Sequence, residues 1–229
     1  MAVIGVGSLG QHHARILAGL PGAELVAVVD RDPERARAIG ARYSVPALTD
    51  PRDLPGDVEA VTVAVPTVMH HDVACMSLEA GRAVLVEKPM TATLEEAEAL
   101  VEAGERAGRP VLVGHTERFN PAVRAAAAHI RDPRFIESHR LGVFTARSTD
   151  VDVVLDLMIH DLDVILSLVP SEVADVEAVG VNALTDKADI ANARLRFKNG
   201  CVANVTASRI STDRVRKLRV FESHSYVSI

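Results

Sequence analysis

The chain has no tryptophan, two tyrosines and five phenylalanines among 229 residues, so branched aliphatics and alanine must fill its core in place of stacked rings. Cys75 and Cys201 are its two cysteines, too few for a disulfide framework and wrongly spaced for a metal site. Each sits in an apolar periodic segment, where a buried free thiol is the expectation. No apolar run approaches the roughly 20 residues of a membrane span, and residues 1–7 have a strand pattern, not that of a signal peptide. A cytoplasmic protein is expected. An excess of positive charge is also lacking: 25 Lys and Arg against 31 Asp and Glu give a net charge of −6, with no general pull toward nucleic acid or an anionic membrane. What is present, 48% hydrophobic and 24% charged residues, is a globular composition large enough for two modest cores.

From Met1 to His115 short β-branched runs alternate with helical stretches, the pattern of a parallel sheet covered on both faces. Strands are expected over residues 2–6, 25–30, 60–65, 83–87 and 110–114. Helices are expected over 8–20, from Asp32 and Pro33 to about Arg42, over 72–80, and from Thr93, which with Glu96 has the spacing of a capping box. After His115 the rhythm changes to a helix over 121–130, a strand over 135–143 and a long helix over 153–168. Strands alone follow, at Val173–Val181, Ile190–Phe197, Val202–Ser208 and Val215–Phe221, with Lys198, Asn199 and Gly200 as a hairpin turn. The fold class is α/β: a Rossmann parallel sheet over residues 1–115, then an α+β domain with a mostly antiparallel open sheet over 116–229.

Gly5, Gly7, Ser8, Leu9 and Gly10 lie between a strand and a helix, and Asp30 ends the next strand. In this context Gly5 allows a tight turn, Gly7 lets the backbone approach a pyrophosphate, and Gly10 lets helix and strand pack closely. The helix N-terminus holds phosphates by its free N–H groups and dipole. Asp30 would accept hydrogen bonds from the adenosine ribose, which favours NAD over NADP, while Arg31 keeps NADP open. A glycine-rich turn without ligand, or a methyltransferase loop, is the bland alternative.

Ligands of an open parallel sheet gather at the carboxyl ends of its strands. There stand Pro66 and Thr67, with His70 one turn on, then Glu87, Lys88 and Pro89, then His115 followed by Glu117, Arg118 and Asn120. A lysine between an apolar strand and a proline is suited to exchange a proton with a substrate hydroxyl, although most lysines are solvated. Thr67 and His70 read equally as helix-capping residues. In the helix over 153–168 a polar stripe, Asp156, His160, Asp163 and Ser167, shares one face. Asp156 can orient the His160 imidazole to abstract an alcohol proton; a wet helix face explains the stripe as well. His12, His13, His71, His129, His139 and His224 read as surface residues.

These residues resemble the glucose-fructose oxidoreductase, inositol dehydrogenase and MocA family, written Gfo/Idh/MocA, over the whole chain. The glycine loop with Asp30 matches its NAD(P) loop, a motif shared with other folds. Glu87-Lys88-Pro89 matches its more specific Glu-Lys-Pro motif, which implies a catalytic Lys88 with Glu87 and Pro89 bordering the nicotinamide. Asp156 and His160 match its Asp-x-x-x-His pair, which implies His160 as base and Asp156 as its partner. Residues 114–121 and 155–163 look closest to bacterial UDP-N-acetylglucosamine 3-dehydrogenase-like members, implying oxidation of a sugar or nucleotide-sugar alcohol at C3, with His115, Arg118 and Asn120 on the substrate side. Because members run well past 300 residues, the resemblance implies that the second domain is incomplete here. It also implies a homo-oligomer formed through that domain's sheet. A catalytically silent dinucleotide-binding sensor or scaffold is the alternative reading. No metal is expected.

Overall fold

The computed structural model describes residues 1–145 and 151–229, which divide into two units, Met1–Gly114 and His115–Ile229. In the first, β1 (Ala2–Ile4), β2 (Ala27–Val29), β3 (Ala47–Leu48), β4 (Ala60–Val63), β5 (Ala83–Val86) and β6 (Val111–Val113) form a parallel sheet in the order β3-β2-β1-β4-β5-β6. The chain runs outward from β1 to β3 and then returns to the other side of β1, so a crevice opens at the carboxyl ends of β1 and β4. Strand β1 stops short of the expected Val6 because the Val6 N–H leaves the ladder for the Asp30 carboxylate, at 2.9 Å. Strand β3, two residues long, carries no alternation that a sequence pattern could show.

Four helices cover this sheet: α1 (Gly10–Gly19), α2 (Pro33–Tyr43), α3 (His70–Glu79) and α4 (Leu94–Ala107). Asp32 caps α2 by accepting from the Glu34 and Arg35 N–H groups, and Thr93 with Glu96 closes the expected capping box on α4. Successive residues of β1 point to opposite faces. Val3 joins Val28, Leu17 and Ile39 in one apolar layer, while Ala2 and Ile4 join Val63, Leu78, Val86 and Leu100 in the other. Each Val or Leu so buried contributes roughly 1.5–3 kcal/mol.

The second unit contains α5 (Pro121–Ala127), α6 (Ile159–Leu168), β7 (Phe135–Leu141), β8 (Val173–Val181), β9 (Ile190–Phe197), β10 (Val202–Ser208), β11 (Val215–Phe221) and β12 (Tyr226–Ser228). Its sheet order is β12-β11-β7-β10-β9-β8, antiparallel except where β7 and β10 run together. Ala191, Ala193, Leu195 and Phe197 of β9 turn inward and share a core with Val164 and Ile165 of α6. Gly200 supplies the left-handed residue of the hairpin turn, with φ of 88°. The long helix expected over 153–168 is helical throughout but not uniformly α: Val154–Met158 form a π turn ahead of α6. Such wide turns collect at functional sites. Among the described residues no helix is long and apolar enough to cross a membrane.

Candidate active site

Because every strand of the first sheet runs the same way, the segments after β1, β2, β4 and β5 stand along one sheet edge. A cleft of about 720 Å³ opens there, lined by Gly5, Gly7, Ser8, Leu9, Asp30, Arg31 and Pro66 among the expected cofactor residues. The glycines divide their tasks as anticipated. Gly5 has φ of +83°, and a Cβ on it would come within 2.6 Å of the Ala64 carbonyl; one on Gly10 would meet the Gly5 carbonyl at 1.7 Å. A Cβ on Gly7 would touch nothing within 4 Å, so its backbone is bare toward the cleft. Helix α1 has neither a side-chain cap nor an acidic residue in its first turn, which suits it to an anionic phosphate. The donor set and the bare loop fit a dinucleotide.

Asp30 does more than the sequence indicated. Its carboxylate accepts from the N–H groups of Val6 at 2.9 Å and Asp32 at 3.0 Å, and from Arg35 Nη1 at 3.2 and 3.3 Å. A carboxylate offers about four lone-pair sites, so a ribose hydroxyl would share it with, or displace, Arg35. Sequence reasoning passed over Arg35, one helical turn into α2, and over Arg52, Met69 and Met76, which also line the cleft. An arginine five residues beyond the acidic strand end was the available signal.

Thr67, His70, Glu87, Lys88 and Pro89 are not among the lining residues of that cleft. Thr67 begins a short 3-10 turn ahead of α3. His70 differs most from expectation: it is 1% exposed, with Nδ1 2.8 Å from the Pro89 carbonyl oxygen and Nε2 3.0 Å from that of Val65. Its ring faces the interior, braced on backbone carbonyls, because the two strand tips on either side of α3 present those oxygens to it. Glu87 is also buried. Its Oε1 lies 2.8 Å from His13 Nε2 and its Oε2 accepts from the Lys88 N–H at 3.2 Å. Burial alone would raise the Glu87 pKa, but the hydrogen bond and charge of His13, with the Lys88 N–H and charge, outweigh it and hold the carboxyl below its ordinary range. Gly114 leaves room beside it, since a Cβ there would come within 3.1 Å of both carboxylate oxygens and the Glu87 side chain would have to shift by a few tenths of an ångström. His13 therefore corrects the surface reading. Its partner is 74 residues away, and no local pattern announces it. Lys88 is half-buried, and the Lys88–Pro89 peptide is cis.

In the second unit the expected polar stripe divides. Asp156, within the π turn, and His160, at the start of α6, are half-buried; Ser167 is exposed and bonds back to the Val164 carbonyl at 2.7 Å. Asp163 is buried and takes a two-pronged bond from Arg118, through Nε at 3.1 Å and Nη2. The Asp163 hydrogen bond raises the Arg118 pKa against a small opposing effect of burial. A second pair, absent from the sequence reading, lies beside it: Arg140 of β7 bonds Asp161 through Nε at 2.7 Å and Nη2 at 3.1 Å, with Glu117 3.7 Å from its Nη1. Both members are buried. Asp161 was overlooked because its partner stands on a strand 21 residues earlier. Among the expected substrate residues, Asn120 caps α5 by accepting from the Ala122 N–H and donates to Glu117. His115 holds a buried Nδ1 without a hydrogen-bond partner among the described residues. Among the described residues no group of three or more His, Cys, Asp or Glu side chains is placed to hold a metal ion.

Comparison with known proteins agrees with this architecture. The family profile described as oxidoreductase family, NAD-binding Rossmann fold (GFO_IDH_MocA) matches residues 1–115, and that described as GFO/IDH/MocA C-terminal domain matches residues 122–226. UDP-N-acetylglucosamine 3-dehydrogenase of Acidithiobacillus ferrooxidans is 41% identical over 228 residues, which are 99% of this chain and 72% of that protein. A solved structure of that enzyme superposes with a TM-score of 0.93, covering 100% of this chain and 72% of the other. The scyllo-inositol 2-dehydrogenase (NAD(+)) of Bacillus subtilis is 30% identical over 92% of this chain and 67% of its own length.

Proposed function

Since the chain belongs to the Gfo/Idh/MocA family of NAD-binding oxidoreductases, we propose that it transfers a hydride between nicotinamide and a secondary alcohol of a sugar or nucleotide sugar. The narrower reading is C3 of UDP-N-acetylglucosamine, supported by 41% identity across nearly the whole chain to an enzyme named for that reaction. The observation that carries the reading is the shared sheet edge: the bare Gly7 loop after β1 and Lys88 after β5 stand at the carboxyl ends of strands that all run one way. NAD, when bound, accepts the hydride.

The chain's own residues supply the rest. Gly5, Gly7, Ser8, Leu9 and Gly10 with the α1 N-terminus would seat the pyrophosphate, and Asp30 with Arg31 the adenosine ribose. Pro66, Thr67, Glu87 and Pro89 would border the nicotinamide. The one hydroxyl proton released as hydride leaves the same carbon is assigned to His160 as base, with Asp156 orienting its ring, and Lys88 is assigned to hydrogen-bond that hydroxyl and relay the same proton. His115, Arg118 and Asn120 are assigned to the substrate side.

Purified protein mixed with NAD and UDP-N-acetylglucosamine should develop the reduced-nicotinamide absorbance. Turnover of a cyclic polyol instead would keep the reaction class and change the substrate. NADH binding measured by calorimetry, with no turnover of either, would favour the silent sensor or scaffold.

A further inference from the structure

Two histidines on different helices grip the residues on either side of Lys88. From α1, His13 meets the Glu87 carboxylate at 2.8 Å. From the first turn of α3, His70 meets the Pro89 carbonyl oxygen at 2.8 Å and the Val65 carbonyl oxygen at 3.0 Å. Glu87 and Pro89 are themselves buried, Glu87 at 8% exposure and His70 at 1%. The Lys88 N–H is also taken, by Glu87 Oε2. On one side of the lysine a side-chain carboxylate that itself holds the Lys88 N–H, and on the other a backbone carbonyl, is thus tied to a helix, while the lysine side chain remains half-buried.

We propose that His13 and His70 are positioning residues that fix where the Lys88 ammonium stands. The inference rests on the proton-exchange role given to Lys88 above. Chemistry at a bound alcohol tolerates little error in placement: a displacement of about 1 Å costs on the order of 100-fold in rate. A lysine carries four flexible methylenes, so its reach is only as well defined as the backbone beneath it. Holding the Lys88 N–H through the braced Glu87 carboxylate and the Pro89 carbonyl through His70 restrains rotation about the turn. His13 belongs to α1, whose N-terminus faces the cofactor cleft.

Both bonds of His70 go to carbonyl oxygens, and the nearest acid on its own helix, Asp72, is engaged by His71 at 3.0 Å. A neutral ring donates to one carbonyl and a doubly protonated ring to both. A side chain of equal bulk without donors strands one carbonyl oxygen if the ring is neutral and both if it is doubly protonated.

The test uses the full chain with four substitutions: His70→Phe and His13→Leu, which remove the donors, and His70→Gln and His13→Gln, which keep one. Amide hydrogen exchange is read by NMR in ligand-free protein, alongside NADH affinity and turnover. His70→Phe and His13→Leu should speed exchange at Lys88 and Met90 by about tenfold or more and leave the Val3 and Val28 amides unchanged. Turnover should drop by on the order of 10- to 100-fold with NADH affinity held within about threefold. The glutamine variants should recover most of both losses. Exchange that rises equally at Val3 and Val28, or that stays unchanged at Lys88, overturns the proposal and makes the pair a fold-stabilising feature. Local loosening at Lys88 with wild-type turnover retained also overturns it. Local loosening in a protein that oxidises no alcohol at all keeps the brace but removes its purpose, and the failure then belongs to the dehydrogenase reading.

Discussion

The two units secure their candidate reactive residues by different physics. Around Lys88 the ties are histidine rings on one carboxylate and two backbone carbonyls. Around His160 the neighbouring acids, Asp161 and Asp163, are each locked by an arginine in a two-pronged ion pair. The His70 bonds to carbonyls hold a turn without an acidic partner, whereas the His13–Glu87 tie is itself an ion pair when His13 is protonated. Buried ion pairs hold it only while both charges are present, and loss of one leaves the other uncompensated. The second arrangement should therefore be more brittle toward single substitutions.

Arg140→Met gives the largest expected effect. It leaves the buried Asp161 carboxylate without its arginine and should lower stability by about 3 kcal/mol, measured by urea unfolding with an unchanged denaturant slope. The double variant Arg140→Met, Asp161→Leu should recover much of that loss, since replacing both partners by apolar groups removes the stranded charge. Thr93→Ala in the first unit removes one side of a capping box and should cost about 1 kcal/mol. Arg118→Met should cost less than Arg140→Met despite similar bond geometry and a partner, Asp163, that is equally buried, because the Arg118 side chain is 49% exposed and solvent screens the pair. Equal losses for Arg140→Met and Arg118→Met would break the comparison.

A pH effect sharpens it further. The Glu87 carboxyl is held below its ordinary range, burial opposing and His13 prevailing. A lowered folded-state pKa contributes stability that is complete above the unfolded value and is lost as pH falls through the folded one. Carboxyl-carbon NMR should show Glu87 titrating below the ordinary glutamate range, and His13→Leu should move it upward, leaving burial as the dominant influence. A downward or absent shift in that variant would mean that His13 is not what holds the carboxylate ionised.

Much of this was legible in the sequence because it is local. The glycine loop, the Asp32 and Thr93 caps, the Gly200 turn and the alternation of β9 each follow from residues a few positions apart. The braces were not legible for the opposite reason. His13 meets Glu87 across 74 residues, His70 meets Pro89 across 19, and Arg140 meets Asp161 across 21. No periodicity connects such pairs; only the strand order does. The π turn at Val154–Met158 escaped for a third reason: its residues are as apolar as those of an α-helix, so composition gives no sign of the wider hydrogen-bonding ring.

The assignment of Lys88 is tested most directly by Lys88→Met, with NADH affinity followed by fluorescence and turnover followed with UDP-N-acetylglucosamine and with cyclic polyols. Affinity should stay within about threefold while turnover falls by at least about 100-fold, the signature of a group that acts on the hydroxyl proton and not on the cofactor. Unchanged turnover, or equal loss of binding and turnover, would contradict it.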